Sequence, residues 1–128
     1  MRLFEENFCV ETQDIKAFAR VACDPNPIHQ NLEAAKQMGL EGPIAHGMFL
    51  YCYLMRRLDE WLALETNEGR SWAILNTKCR FHDPALVGGS FDSFLEKGDV
   101  VEGKMKLNLV LMHESKKLCM VTAHLELS

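Results

Sequence analysis

A chain of 128 residues with 48% hydrophobic and 25% charged side chains suits one compact domain, residues 1–128, and sets aside intrinsic disorder and fibrous repeats. Its formal net charge of −4 argues against a nucleic-acid surface, which needs a concentrated positive field. The basic pairs Arg56-Arg57 and Lys116-Lys117 read as solvated helix ends or turn tips.

The N-terminal Met1-Arg2-Leu3-Phe4-Glu5-Glu6 is acidic where an export signal needs an apolar stretch. The longest apolar-rich stretch, residues 48–55, is about half of the ~20 residues a membrane span requires. A cytoplasmic location without membrane or nucleic-acid partners is therefore expected. The cysteines at 9, 23, 52, 79 and 119 form no CxxC pair, so neither a disulfide framework nor a structural zinc site is indicated. They are expected as buried small side chains in a reducing compartment.

A first strand is expected to end near Val10. Ile15, Phe18, Ala19 and Ala22 then fall on one face of an amphipathic helix, with Thr12 or Asp14 placed to cap it. Asp24-Pro25-Asn26-Pro27 stops that helix, because each proline removes a backbone donor and pushes its predecessor toward extended geometry. Asp24 and His29 thus belong to a stiff loop. A short helix over 32–38 is capped by Asn31 and ended by Gly39. Residues 46–64 are apolar on nearly every side for three turns, the pattern of a central helix wrapped by other structure.

The second half changes its period to two. Residues 71–81 read as a strand, residues 101–111 alternate as a long half-buried strand, and a turn at 113–117 leads to a partner strand in which Cys119, Val121, Ala123, Leu125 and Leu127 share a face. The stretch from Val87 to Asp99 reads as a long loop. One enclosed helix with antiparallel strands implies an α+β fold, a curved sheet around a helix.

Two segments carry a family resemblance: Asp24-Pro25-Asn26-Pro27-Ile28-His29, and Gly42-Pro43-Ile44-Ala45-His46-Gly47-Met48. Together they resemble the MaoC-like group of R-specific enoyl-CoA hydratases and 3-hydroxyacyl-thioester dehydratases. The resemblance is strongest from Asp14 to Leu54 and resumes at Arg80-Phe81 with Pro84 and Gly88. It implies a hotdog fold, in which an antiparallel β-sheet wraps a central α-helix, usually as a homodimer with an acyl thioester entering near the interface. It matches Asp24 and His29 to the catalytic pair, the Gly47 N–H to the group that polarises the thioester carbonyl, and Asn26 to a position supporting the same loop and substrate. Relatives place a Gly-Asp pair soon after Pro84, whereas here residues 89–97 precede Gly98-Asp99 and look like an insertion. Folded over the acyl tunnel, its Phe91, Phe94 and Leu95 would limit chain length or admit an unusual substrate; otherwise it is a loop held by its own aromatic contacts.

The chemistry stands apart from the resemblance. Hydrating a 2-enoyl thioester needs a base for water, an acid for the carbon beside the carbonyl, and a donor for the enolate-like oxygen. An imidazole such as His29 can accept a proton near neutral pH, and Asp24 can hold the same water, with acid and base roles open between them. Gly47 offers an unobstructed N–H at a helix N-terminus. No cofactor is required: coenzyme A, or acyl-carrier phosphopantetheine, is part of the substrate, and no glycine-rich nucleotide loop is present.

Blander readings stand beside these. Asp24 and His29 suit a capping aspartate and a turn histidine, and His46 suits a histidine fixing the start of the central helix. The spacing of Asp24, His29 and His46 selects no metal site. His82 and Asp83, adjacent on a strand, point apart, and Cys52 reads as a packing residue. The alternatives to a lyase are a hotdog thioesterase and a non-catalytic acyl-binding partner subunit.

Overall fold

The computed structural model describes residues 2–65 and 69–127. Its elements run β1 (Arg2–Cys9), α1 (Thr12–Val21), a single 3-10 turn (Pro27–His29), α2 (Leu32–Gln37), α3 (Gly47–Leu64), β2 (Trp72–Phe81), β3 (Ser90–Lys97), β4 (Lys104–His113) and β5 (Lys116–Leu127). All strands pair antiparallel in one sheet ordered β1-β3-β4-β5-β2. Leu50, Tyr53, Leu54, Leu58 and Trp61 recur at helical spacing along α3 and pack on Met105, Leu107, Leu109 and Leu111 of β4 and Cys119, Val121, Ala123 and Leu125 of β5. This is the α+β arrangement expected from the periodicities, and the hotdog fold that the family resemblance implied.

The segment 89–97 departs from the expectation. It is not a loop or a lid: residues 90–97 are β3, paired with β1 on one side and β4 on the other. Phe91 and Leu95 enter the common core, and Phe94 is buried on the opposite face under the Arg2 guanidinium, 4.2 Å from its ring centroid. The charged residues Asp92, Glu96 and Lys97 and the flanking glycines had suggested a loop. Pairing on both edges overrides that local polarity. The loop expected over residues 87–99 shrinks to short connections at either end of β3.

Smaller departures have local causes. The run starting at Val101 becomes strand only at Lys104, because Glu102 and Gly103 take positive φ (52° and 73°) in a tight turn closed by Val101 and Lys104. Glu11 caps α1 in place of Thr12, while Asp14 closes that start by accepting the Glu11 N–H at 3.0 Å. Helix α3 is not wrapped all round, since Met48, Cys52 and Arg56 lie on an exposed face. Among the cysteines only Cys119 is buried and Cys79 is half-buried, their sulfurs 3.6 Å apart, whereas Cys9, Cys23 and Cys52 are exposed. Alternation and helical position place a residue on an element; they do not say which faces stay uncovered.

The basic pairs also divide. Lys116 and Lys117 open β5 beside the turn, with Lys116 3.3 Å from Asp83, but Arg57 is buried. It faces a bulge in β1, where Phe4 adopts φ 59° and the register shifts between Leu3 and Glu6. The bulge turns Glu6 inward toward Arg57, 3.6 Å away, and toward the Tyr53 hydroxyl, which donates to it. Burial, reinforced by the Glu6 hydrogen bond, pushes the Tyr53 phenol up to about 12. The unfolded chain releases that proton near its ordinary value of about 10, so the folded state binds more protons between the two values. Stability is therefore expected to fall as pH rises from about 10 to about 12, and Tyr53→Phe should flatten that slope in urea titrations at stepped pH.

Candidate active site

The site forms where the loop after α1 meets the start of α3. Asp24 has both ends of its peptide engaged: its N–H donates to Ala19 at 3.0 Å, and its carbonyl lies 3.2 Å from His46 Nε2. Its carboxylate accepts the Asn26 N–H at 3.3 Å, and Asn26 accepts the Ile28 N–H at 3.2 Å. Those two side-chain caps build the 3-10 turn that ends at His29. Asn26 therefore supports the loop, and the prolines on either side of it limit the backbone.

His29 is buried, and its Nδ1 is 2.8 Å from the Ile44 carbonyl. A carbonyl oxygen only accepts, so Nδ1 carries the proton and the neutral ring keeps a lone pair on Nε2. Donor atoms of Asp24, His29 and His46 lie within 4.8 Å of one another. The Asp24 side chain is 49% exposed, so the pair meets solvent on the carboxylate side.

Gly47 opens α3, and its N–H has no protein partner among the described backbone hydrogen bonds. A side chain there would come within 3.1 Å of the Phe81 ring at the end of β2. Beside this corner, α1, α3 and β1 enclose a groove of about 520 Å³ lined by Phe8, Phe18, Phe49 and Tyr53 with Cys52 and Arg56. Phe18 links groove and loop, its ring centroid 5.0 Å from that of His46 and 5.6 Å from that of Phe49.

Residues 2–117 match the family model described as MaoC like domain. The chain belongs to that family. Among relatives of this MaoC-like domain, the fatty acid synthase beta subunit TOXC of Cochliobolus carbonum is 35% identical over 95 residues, covering 73% of this chain and 4% of the relative. The 3-hydroxyacyl-thioester dehydratase X of Mycobacterium tuberculosis is 32% identical over 85 residues, covering 66% of this chain and 27% of the relative. The chain thus spans a small part of both. The solved structure of an (R)-hydratase from A. caviae superposes with a TM-score of 0.80 at 22% identity, covering 97% of this chain and 92% of the other, a likeness of fold.

In this MaoC-like domain the sequence readings meet at one corner, with two additions. His46 was expected to fix the start of α3; it does occupy the cap position, but its side chain caps nothing and turns to Asp24 and His29. Phe18 had been placed only on the core face of α1, and its position six residues before Asp24 was the signal of proximity. Cys52 lies in the groove wall and is exposed, so it is not a packing residue. Asp83 turns to Lys116, away from any shared role with His82.

Asp24, His29 and His46 are also the one group of three such donors close enough to share a metal ion among the described residues, with the His29 and His46 rings stacked 3.7 Å apart at 24°.

Gly47→Ala separates space from stability. Alanine suits a helix by up to about 1 kcal/mol over glycine, and the Phe81 ring, 52% exposed, can shift. Chemical denaturation should therefore move by less than about 1 kcal/mol, while turnover falls about tenfold or more because the methyl group obstructs approach to the N–H. Unchanged turnover would remove Gly47 from the site.

Proposed function

We propose that this MaoC-like domain catalyses reversible hydration of 2-enoyl thioesters, carried on coenzyme A or on acyl-carrier phosphopantetheine, with no other cofactor. The supporting observation is the orientation of His29: with Nδ1–H given to Ile44, its Nε2 lone pair is left free, on a ring with a nitrogen within 4.8 Å of an Asp24 carboxylate oxygen. In the hydration direction Nε2 takes a proton from water as the oxygen bonds to the β carbon. The dyad returns one proton to the α carbon, so it ends as it began. Charge that gathers on the thioester oxygen meanwhile meets the Gly47 N–H, at a helix end that favours it. Dehydration is the reverse traffic. The aromatic groove beside Phe18 supports an acyl chain as the apolar half of the substrate.

The reading extends to a homodimer joined through β2. That strand pairs with β5 on one edge and, among the described residues, with no strand on the other, while Ile74, Leu75 and Phe81 are exposed on it. It extends also to a cytoplasmic location, which five free cysteines favour. No helix among the described residues is long and apolar enough to cross a membrane.

Crotonyl-CoA decides the reaction class. Loss of the enoyl-thioester absorbance without release of free thiol is expected. Free thiol in step with that loss would make the protein a thioesterase, and binding without either change would make it a partner subunit.

A further inference from the structure

We infer that His46 is a positioning residue that holds both members of the acid-base pair at once, Asp24 through its backbone carbonyl and His29 through its ring face. The inference rests on the proposed roles of Asp24 and His29 and assigns a role to a third side chain. His46 is 2% exposed, so its orientation is set by neighbours. Its Nε2 faces the Asp24 carbonyl at 3.2 Å and the Asp24 Oδ2 at 4.0 Å. Both partners are acceptors, so Nε2 carries the proton and the neutral ring leaves Nδ1 bare. That Nδ1 is buried with no hydrogen-bond partner among the described residues.

An orphaned buried nitrogen is costly where packing alone is needed, since an apolar ring would fill the same space without one. Helix capping does not account for it either, because the side chain makes no cap hydrogen bond. What an imidazole supplies here, and a phenyl ring does not, is a donor to the Asp24 peptide. With the Asp24 N–H already given to Ala19, the His46 bond fixes the peptide from its other end, so the carboxylate is aimed from a clamped backbone.

The same ring limits His29. Stacked at 3.7 Å and 24°, the two imidazoles bar His29 from rotating toward α3, while the Ile44 carbonyl holds its far nitrogen. Phe18 packs on His46 from α1, centroid to centroid 5.0 Å, so the clamp is itself held. A displacement of about 1 Å between acid, base and substrate is enough to cost about a hundredfold in rate.

The experiment uses the full chain as wild type, His46→Phe and His46→Gln. Phenylalanine keeps a flat ring and loses the donor; glutamine carries an amide N–H near the position of Nε2. For crotonyl-CoA hydration, His46→Phe is expected to lower kcat by about tenfold or more while KM changes by less than about threefold, and His46→Gln to recover part of kcat. Equal kcat in wild type and His46→Phe overturns the inference, as does a glutamine variant no better than phenylalanine. Long-range proton–nitrogen spectra of the imidazoles, recorded without substrate, give a second measure. The expected result is an Nε2–H tautomer at His46 and displaced His29 resonances in His46→Phe. An Nδ1–H tautomer, or unmoved His29 resonances, overturns it. Should wild type hydrate no enoyl thioester, the proposed function falls, and the spectra still decide whether His46 clamps the pair.

Discussion

Asp24→Asn and His29→Ala are each expected to slow hydration of crotonyl-CoA by about a hundredfold or more, with the fold retained. The substitutions act on chemistry because the loop keeps its other supports. An asparagine at 24 retains a carbonyl oxygen for the Asn26 N–H, and both peptide contacts of residue 24 are made by backbone. Removing the His29 ring leaves the Ile44 carbonyl without its side-chain donor, a loss of about 1 kcal/mol that denaturation will register without unfolding the protein. Because base and acid serve one transition state, the double variant should be no more than a few-fold slower than the worse single variant. Turnover that survives either change would move the chemistry elsewhere, and substrate binding with unchanged turnover in both would point to another site.

Replacing Arg57 with leucine should destabilise the fold by about 3 kcal/mol, the largest single loss expected outside the apolar core. Arg57 is 3% exposed, and its guanidinium donates to the Phe4 carbonyl, lies over the Phe4 ring at 4.1 Å and has Glu60 at 3.5 Å beside Glu6. Leucine would fill part of the volume but leave a bulge carbonyl without a donor and Glu6 with only Arg56, 3.9 Å away, and the Tyr53 hydroxyl. Urea denaturation of wild type, Arg57→Leu, Glu6→Gln and the double variant forms a cycle whose coupling should reach about 1 kcal/mol or more. Coupling near zero would mean that the pair is as well solvated as an ordinary surface bridge.

What the sequence made legible follows the length of each signal. Helix α3 and the β4–β5 hairpin carry periodicity over ten or more residues, and both were placed with errors of a few residues at their ends. The proline loop and Gly39 carry backbone restrictions and marked helix boundaries for the same reason. Strand β3 was missed because Asp92, Ser93, Glu96 and Lys97 interrupt its alternation, and its burial comes from neighbours 10 and more residues away. The buried Arg57 was missed because only the bulge at Phe4 brings Glu6 opposite it. At the candidate site, Asp24, His29 and Gly47 were proposed from residue type and motif, and the fold brings their segments to one corner. The stacked His46 and adjacent Phe18 are tertiary contacts that no local pattern encodes.

The pairing of β1 with β3 has a consequence for how the chain folds. The β4–β5 hairpin closes over a two-residue turn, Glu114-Ser115, and asks little loop entropy. Strand β1 finds its partner across a separation of 85 residues between Asn7 and Asp92, after three helices and a strand have intervened. Such non-local closure is slow, and its entropic cost is recovered only once β3 already lies on β4. The first strand made is therefore among the last to be secured, and its amides should exchange with solvent sooner than those of β4 and β5.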